Sequence, residues 1–399
     1  MNILMIGRQR YFIRALEKSN VKINVYLIEE EDVYLKDDKS KYAFASIKGL
    51  KLAKYHQSEE YLSVVKEWSA QVKFSGVVAA REAGVLAASR AAELLGLPRL
   101  GEKAAQCLTN KLTLRELCLK AGINSPLFKK IESLEELKDF FEDVPVIFKP
   151  ANRDGSIGVN KISSPNDIEK TFNLTVNATE PLVVDRPIKW EFMVEEFIEG
   201  NEVSVECLVK NKEIIFLNVT DYSTKQIRIV PKDLNSLQRA KIIENQTRLA
   251  KALEVENGVL HAEWMLQDDK IILVECAGRL PGSLLPDLIT NSYQFNFYEA
   301  YLNVLTNGHV NLNVNSRYLS AINNFTSSKS GQLLEIKNLE VLNNPKVVEW
   351  NIGVSKGDYV KKFVDLTSRF GYFILKTDGY LELNMLLKSI SSQVTFVVK

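Results

Sequence analysis

Two glutamates on facing strands constrain the fold of this chain more than any other feature. The segment Leu260 to Gly282 reads LHAEWMLQDDKIILVECAGRLPG and has the alternating pattern of a β-hairpin. With Asp268-Asp269-Lys270 as a three-residue turn, Glu263 and Glu275 lie opposite each other on one face. The apolar side chains of the hairpin then share the other face: Trp264, Leu266, Ile272, Val274 and Cys276. Facing like charges destabilise a sheet, so either a shared Mg²⁺ ion or full solvation must explain the pair.

Length and charge predict a globular protein with several structural units. At 399 residues the chain is too long for one ordinary domain, and 46% hydrophobic with 25% charged residues argues against disorder. A formal net charge of +1 predicts no broad attraction to nucleic acid or to an anionic membrane. Any binding of phosphate must therefore be local.

Cysteine, histidine and the N-terminus narrow the chemistry further. The four cysteines form no CxxC pair, so neither a disulfide scaffold nor a zinc site is expected. Three histidines make histidine-centred metal or triad chemistry improbable, which leaves lysine, arginine and carboxylates. The N-terminal apolar run is too short for a signal peptide, and no apolar stretch is long enough to cross a bilayer. We therefore expect a cytoplasmic protein.

The N-terminal region has the pattern of a βαβ unit. Residues Asn2 to Ile6 read as a strand, Arg10 to Lys18 as a helix and Ile23 to Ile28 as a second strand. A single glycine, Gly7, stands where a dinucleotide-binding unit has GxGxxG, so that type of site is not supported.

A later strand places an acid where ligands bind. Residues 76–80 read as a strand, and Glu82 follows its carboxyl end, the edge at which open α/β sheets hold ligands. Glu82 is a candidate partner for a substrate ammonium group. It is equally explained as a carboxylate that favours the first turn of the next helix.

Two lysines are candidates for phosphate binding. Lys111 lies in the first turn of a helix that we predict from a Thr109 cap to Gly122, where a cation opposes the helix dipole unless an anion accompanies it. Lys149 ends a strand from Val144 to Phe148 and precedes a glycine-containing loop, Ala151 to Val159.

The loop ANRDGSIGV suits a flexible phosphate lid. Gly155 and Gly158 bracket Ser156, and glycines let backbone N–H groups approach phosphate oxygens. The GxxxxGK[ST] motif of a P-loop is absent. By itself the loop fits an ordinary hairpin turn better than a lid.

A short break between two strands suits a nucleotide hinge. The segment Phe192 to Ile198 is followed by Glu199-Gly200-Asn201-Glu202 and then by an alternating strand. The hinge backbone is placed to meet adenine, and Glu202 is placed to accept the hydroxyl groups of a ribose. A turn without a ligand is the alternative.

The region after the hairpin contains a second candidate anion site. Gly282-Ser283 are predicted to cap a helix from Leu284 to Ile289, whose N-terminal N–H groups would face an anion. From Val310 onward short strands and turns predict a small β-rich unit, with a boundary near Asn311.

Together these features resemble the ATP-grasp superfamily in identity and order. They are Lys111, Lys149 with its glycine loop, EEFIEGNE from Glu195 to Glu202, and the acids Glu263 and Glu275. The resemblance implies an α/β and α+β chain with an N-terminal βαβ domain (1–110), two subdomains that clasp ATP (111–190 and 191–310) and a small β-rich C-terminal unit (311–399). It covers most of the chain.

The resemblance also implies roles for individual residues. Phosphate contacts fall to the lysines and the lid: Lys111, Lys149, Ser156 and Gly158. Adenine would meet the hinge (Glu195, Glu196, Phe197 and Ile198) and the ribose would meet Glu202. Glu263 and Glu275 would hold Mg²⁺, with Mn²⁺ as an alternative.

A closer resemblance is to the bacterial L-amino-acid ligases, the branch that forms dipeptides such as bacilysin. Three stretches carry it: KPANRDGSIGV at Lys149, HAEWML at His261 and VECAGRLPG at Val274. Ala277 stands where many ATP-grasp enzymes have asparagine, a departure that these ligases share. The segment from Lys225 to Leu234 is shorter than in some relatives and lacks their active-site histidine.

This resemblance assigns further substrate contacts. Arg279 matches the arginine that faces the acyl phosphate and the tetrahedral intermediate. Glu82 matches a substrate-binding acid, and Gly282 and Ser283 line the substrate pocket, where Ser283 replaces a bulkier residue and leaves more room.

The expected activity is ATP-dependent ligation of a carboxylate to an amine through an acyl phosphate, with amino acids as the small-molecule substrates. Two alternatives stay open, a ligase of the same fold with another acceptor (bicarbonate, a carrier protein or a peptide end) and a nucleotide-binding protein without turnover. A homodimer is the default oligomer.

Overall fold

The computed structural model describes residues 1–19, 21–179, 184, 186–267, 270–364 and 368–399. Its first region alternates strands and helices as predicted: β1 (Asn2–Ile6), α1 (Arg10–Lys18), β2 (Asn24–Glu29), α2 (Glu31–Lys36), β3 (Ile47–Leu52), α3 (Tyr61–Ser69), β4 (Gly76–Ala79), α4 (Val85–Leu94) and α5 (Glu102–Cys107). The four strands form a parallel sheet in the order β3-β2-β1-β4. The βαβ prediction is confirmed, and Glu82 follows the carboxyl end of β4 in a short 3-10 helix, Glu82–Gly84.

The second region forms a small sheet with its own core. Its elements are α6 (Lys111–Ala121), β5 (Phe128–Ile131), α7 (Leu134–Phe140), β6 (Val146–Pro150), β7 (Asn160–Ile162), α8 (Ile168–Val176) and β8 (Phe192–Glu196). The sheet has the order β5-β8-β6-β7. Its inner face buries a separate apolar cluster that includes Phe148, Ile162 and Val194.

The predicted cap of α6 is wrong by one residue. Asn110, not Thr109, is the N-cap, because its side chain accepts a hydrogen bond from the backbone N–H of Leu112. Lys111 therefore occupies the first helical position. Gly122 ends the helix with φ +64°, as glycine commonly does.

The remaining strands and helices build an eight-stranded antiparallel sheet and a C-terminal unit. The elements are β9 (Asn201–Lys210), β10 (Glu213–Asp221), β11 (Ile227–Val230), α9 (Ser236–Leu253), β12 (Gly258–Gln267), β13 (Lys270–Ala277), α10 (Leu285–Tyr293), α11 (Phe297–Leu305), β14 (Leu319–Phe325), β15 (Gly331–Lys337), β16 (Val347–Ile352), β17 (Tyr359–Val360), β18 (Gly371–Thr377), α12 (Tyr380–Gln393) and β19 (Thr395–Val398). The large sheet has the order β13-β12-β9-β10-β11-β14-β18-β16, and β17-β15-β19 form a small one.

The large sheet crosses the predicted boundary near Asn311. Strand β11 pairs with β14 from Ile227↔Asn323 to Val230↔Ser320, so the C-terminal unit continues the sheet that carries the acid pair. The N-terminal helices also share one apolar core with β9 and β12, with Ala88, Val205 and Leu260 among its residues. The domain boundaries stay predictions.

Among the described residues, no helix combines the length and the apolar composition that a membrane span requires.

Candidate active site

The two acids of the hairpin lie directly opposite each other. Glu263 on β12 pairs with Glu275 on β13, as the sequence predicts. The length of the turn differs from the prediction. Gln267 pairs with Lys270, so the connection between the strands is shorter than the predicted three residues. The predicted turn residues Asp268 and Asp269 lie outside the described residues.

A β-bulge at Val274 restores the register. Trp264 pairs with Leu273, whereas Glu263 pairs with Glu275, so one extra residue of β13 stands between these pairs. Ile271 and Leu273 consequently pack in the core with Trp264. The prediction that Ile272 and Val274 share the face of Trp264 is wrong, because the bulge reverses the alternation on that part of β13.

Lys111 connects the acid pair with Glu82. Its Nζ lies 2.9 Å from Glu275 Oε1 and 3.9 Å from Glu82 Oε1, and it donates to the carbonyl of Arg153 at 2.7 Å. Burial alone would lower the pKa of Lys111, but the carboxylates of Glu275 and Glu82 raise it. Burial likewise opposes ionisation of Glu275, yet Lys111 and Lys149 lower its pKa to about 2. Glu275 is therefore a carboxylate at any physiological pH.

Lys149 is held by a buried carboxylate. Its Nζ forms an ion pair with Glu195, whose other oxygen accepts from the guanidinium group of Arg115 at 2.8 Å. Burial raises the pKa of Glu195, but the charges of Arg115 and Lys149 outweigh burial and lower it. The side chain of Glu195 thus faces inward, so a nucleotide at this position would meet only its backbone.

Glu82 also pairs with Arg279. Arg279 donates to Glu82 Oε2 at 3.2 Å, and burial raises the pKa of Glu82 to about 7 although Lys111 and Arg279 act against it. A cavity of about 690 Å³ borders Glu82 and is also lined by Tyr55, Asn152 and Trp190. The cavity therefore reaches from the N-terminal sheet to the start of the glycine loop.

The predicted hinge lies between β8 and β9. Phe197 donates its backbone N–H to Pro145 at 3.0 Å, and the ammonium of Lys161 lies 3.5 Å from the centre of its ring. Glu196 is exposed, whereas Phe197 and Ile198 are half-buried. A β-carbon at Gly200 would lie 2.6 Å from the carbonyl oxygen of Leu266, so only glycine fits this approach of the hinge to β12.

Glu202 stands on the same face of the sheet as the acid pair. It pairs with Met265, two residues beyond Glu263 on β12. Burial and then the negative charge of Glu263 raise the pKa of Glu202 to about 7. The structure thus brings Glu202 towards Glu263, as a nucleotide clasped by both would require.

Two protein families match most of the chain beyond the N-terminal region. Residues 142–287 match the family described as ATP-grasp domain. Residues 324–399 match L-amino acid ligase C-terminal domain 2. The chain contains an ATP-grasp domain followed by an L-amino acid ligase C-terminal domain.

Curated relatives of this chain include ligases. Alanine–anticapsin ligase of Bacillus subtilis (strain 168) is 26% identical over 223 residues, which cover 50% of this chain and 47% of the relative. An L-arginine-specific L-amino acid ligase of Bacillus subtilis is 24% identical over 252 residues, covering 61% of this chain and 60% of the relative. The chain thus spans about half the length of the curated relatives that it matches.

Solved structures share the fold over the whole chain. The L-amino acid ligase from Bacillus licheniformis superimposes with a TM-score of 0.81 at 17% identity, covering 100% of this chain and 98% of that one. Phosphoribosylglycinamide synthetase from Anaerococcus prevotii gives a TM-score of 0.70 at 19% identity, covering 100% and 99%. The predicted ATP-grasp fold is confirmed.

The glycine loop of the ATP-grasp domain joins two antiparallel strands. Val146 pairs with Ile162, so the loop is the connection of a hairpin. Ser156 is exposed, and it has a left-handed backbone (φ +59°), as do Gly155 (+70°) and Gly158 (+74°). The hairpin interpretation is confirmed, and the contact of Ser156 and Gly158 with phosphate stays a prediction.

The predicted helix cap at Gly282-Ser283 is wrong. Helix α10 begins at Leu285, and its N-cap Leu284 offers no side-chain hydrogen bond. Ser283 and Leu284 both have a left-handed backbone, with φ +54° and +57°. The hydroxyl of Ser283 instead accepts a hydrogen bond from Arg369 at 3.2 Å. Gly282 and Ser283 thus form the turn that precedes the helix, and their contact with substrate stays a prediction.

A buried polar network beside the acid pair was missed by the sequence analysis. His261 Nδ1 lies 3.0 Å from Glu206 Oε1, and its Nε2 lies 3.5 Å from Glu263. Burial would lower the pKa of His261, but both carboxylates raise it to about 9. The sequence contains a pattern that could have predicted this network, because Glu202, Ser204 and Glu206 alternate on one face of β9. His261 therefore carries charge and orients Glu263.

Proposed function

We propose that the protein is an ATP-dependent carboxylate–amine ligase that joins amino acids through an acyl phosphate. The position of Lys111 carries this proposal, because its ammonium lies 2.9 Å from Glu275 and 3.9 Å from Glu82. It thus connects the acids suited to a metal with the acid beside the substrate cavity. A phosphoryl group moving from ATP to a substrate carboxylate would cross this junction. The names of the ligase relatives support the same activity.

Each charged residue of the site would bind a substrate group of opposite charge. Glu82 would hold the ammonium group of the carboxylate substrate, whose side chain would extend into the cavity of about 690 Å³. Lys111 and Lys149 would share the negative charge of the phosphates, and Arg279 would stabilise the oxyanion when the amine displaces phosphate. Closure of the glycine loop would keep water from the acyl phosphate.

The acid pair fits a divalent cation. Glu263 and Glu275 face each other, and Lys111 and Lys149 keep Glu275 ionised. Among the described residues no three His, Cys, Asp or Glu side chains cluster to hold a metal, so only two protein carboxylates would serve here. Mg²⁺ suits such a site because it commonly binds through one or two carboxylates together with substrate phosphates, and it would neutralise phosphate charge. Mn²⁺ is the alternative.

Product analysis tests the proposed function. The full chain is incubated with ATP, MgCl₂ and amino acids, singly and in pairs, and ADP release is followed while mass spectrometry identifies products. We expect ADP, phosphate and a product with the mass of a dipeptide. ADP release only with bicarbonate, a carrier protein or a peptide would instead assign another acceptor. Binding of ATP without hydrolysis under every condition would contradict the ligase assignment.

Glu82 gives substrate binding a dependence on pH. Because burial raises its pKa to about 7, Glu82 is mostly neutral at pH 6 and mostly charged at pH 8. Its attraction for a substrate ammonium therefore grows with pH, and the KM of the carboxylate substrate should fall about 10-fold across this interval. Glu82→Gln should raise that KM and flatten the pH dependence, as measured by initial rates of ADP release.

The control for this experiment is Glu60→Gln, which removes an exposed glutamate that pairs with Lys54 at the surface. It should retain the KM profile of the unaltered protein. A profile in Glu82→Gln with the same slope as that of the unaltered protein would show that another group titrates.

Glu202 should contribute to nucleotide affinity. If its carboxylate accepts the ribose hydroxyls, Glu202→Gln should weaken binding of a non-hydrolysable ATP analogue about 10-fold, as measured by calorimetry. Stability should not fall, because the substitution removes repulsion from Glu263. Glu199→Gln, at an exposed position of the same hinge, is the matched control. Unchanged affinity in Glu202→Gln would remove the ribose assignment.

A further inference from the structure

Two arginines from distant parts of the sequence meet beside the active site. Arg228 lies on β11 and is 4% exposed. Arg369 precedes β18 in the C-terminal domain, and its guanidinium group donates to the carbonyl of Lys225 and to Ser283 Oγ, the latter at 3.2 Å. Arg228 donates to carbonyls of its own segment, that of Thr224 and, at 2.9 Å, that of Ile227. Among the described residues, the hydrogen bonds of both guanidinium groups therefore go to neutral oxygens.

The carboxyl group of Glu202 interacts electrostatically with Arg228, but it forms no ion pair with that arginine. Within the part of the chain that the structure describes, neither arginine forms an ion pair, and both Nε atoms are buried without a hydrogen-bond partner. Burial and then the positive charge of Arg228 lower the pKa of Arg369 to about 10. Arg228 is buried and Arg369 is half-buried, and two like charges in such surroundings are costly when no described carboxylate forms an ion pair with them. The arrangement therefore favours an anion between them.

The location of the pair connects it with the reaction site. The guanidinium carbon of Arg228 lies 3.4 Å from the ring centre of Tyr222, and that ring meets His261 edge-on at 6.0 Å. His261 in turn contacts Glu263. On the other side, Arg369 is hydrogen-bonded to Ser283, four residues after Arg279. An anion held by both arginines would thus lie at the rim of the site that contains Glu263 and Arg279.

The chemistry of the pair specifies the ligand. A guanidinium group presents paired N–H donors that match the two oxygens of a carboxylate or of a phosphate. The phosphates are already assigned to Lys111 and Lys149, which lie at Glu275 and Glu195. The anion is therefore expected from the second substrate.

We infer that Arg228 and Arg369 bind a carboxylate group of the amine acceptor, so that the C-terminal domain takes part in acceptor recognition. This inference rests on the proposed ligase function. The segment from Lys225 to Leu234 contains no histidine. It would bind the carboxylate of the acceptor through Arg228, together with Arg369 from beyond residue 311. An acceptor that lacks a carboxylate would lose the contact.

The test compares each accepted amino acid with its C-terminal amide. In the unaltered protein the amide should have a KM about 10- to 100-fold higher, the range expected when a charge-assisted hydrogen bond is lost. Arg228→Gln and Arg369→Gln should raise the KM of the amino acid by a similar factor, leave the KM of the amide nearly unchanged and leave the KM of ATP unchanged. Arg369→Lys should recover part of the affinity because it keeps the charge.

Arg248→Gln is the matched control, since Arg248 is an exposed arginine on α9 that pairs with Glu244. An equal rise in KM for amino acid and amide would overturn the inference while the ligase function stands. A raised KM for ATP would assign the pair to the nucleotide phosphates and would also overturn it.

A binding experiment keeps the inference testable if no turnover is observed. Calorimetry with each of the common L-amino acids, in the presence of Mg²⁺ and a non-hydrolysable ATP analogue, should find at least one ligand whose affinity falls about 10-fold or more in Arg369→Gln. Absence of turnover contradicts the proposed function, whereas amino acid binding that is indifferent to Arg369, or no amino acid binding at all, contradicts the carboxylate site.

Discussion

Glu275→Gln is expected to lower the rate of ADP release by about 100- to 1,000-fold, the scale on which loss of an electrostatic contact to a reacting group acts. Glu275 is the acid that Lys111 contacts at 2.9 Å and that faces Glu263. Glutamine keeps the volume of the side chain but offers a neutral oxygen to a cation. The measurement is ADP release at saturating ATP and amino acids across a range of Mg²⁺ concentrations.

The fold should survive this substitution. The side chain of Glu275 is 31% exposed, and Lys111 retains Glu82 and the carbonyl of Arg153 as partners. Circular dichroism and the midpoint of thermal unfolding should therefore stay close to those of the unaltered protein. Glu254→Gln, which removes an exposed carboxylate paired with Lys103, should keep full activity. ADP release near the normal rate in Glu275→Gln would refute the metal assignment.

Arg115→Met is expected to lower the free energy of unfolding by about 3–5 kcal/mol, the usual consequence of removing one partner of a buried ion pair. The side chain of Arg115 is 0% exposed and lies 2.8 Å from Glu195. It also donates to the carbonyl of Val274, the bulged residue between the acid pair and the core. Its loss would leave Lys149 as the only cationic partner of Glu195 among the described residues, and Val274 would lose this donor.

Denaturation in urea, followed by far-UV circular dichroism, measures this effect. The matched control is Arg90→Met, because Arg90 pairs with Glu102 at the same distance of 2.8 Å but is 33% exposed. An exposed pair contributes at most about 1 kcal/mol, so the control should unfold nearly as the unaltered protein does. An equal loss of unfolding free energy in the two variants would show that burial of the Arg115 pair does not increase its contribution to stability.

Local patterns predicted the elements and part of the site. The bounds of β1 and α1 follow from apolar spacing alone, and the structure places them at the predicted residues. The facing of Glu263 and Glu275 was also predicted from spacing, although the turn assumed for it was one residue too long. These features depend on residues that are near in sequence, where backbone geometry determines which side chains meet.

Features that depend on distant residues were not predictable in this way. The bulge at Val274 could not be read from the hairpin, because its carbonyl is held by Arg115 from another part of the chain. The shorter turn and the bulge shift the register in opposite directions. The predicted pairing of Glu263 with Glu275 is therefore correct although neither feature was predicted. The roles of Glu206 and Arg369 likewise required the sheet to be assembled.

The continuity of the large sheet determines what happens to a shortened chain. Strand β11 uses both of its edges, one against β10 and one against β14. A chain ending near residue 311 would lose β14 and expose the unpaired N–H and C=O groups of β11. Such an open edge recruits strands from other molecules. The ATP-grasp region by itself is therefore expected to self-associate, and the C-terminal domain protects it from aggregation by serving as the neighbouring strands of its own sheet.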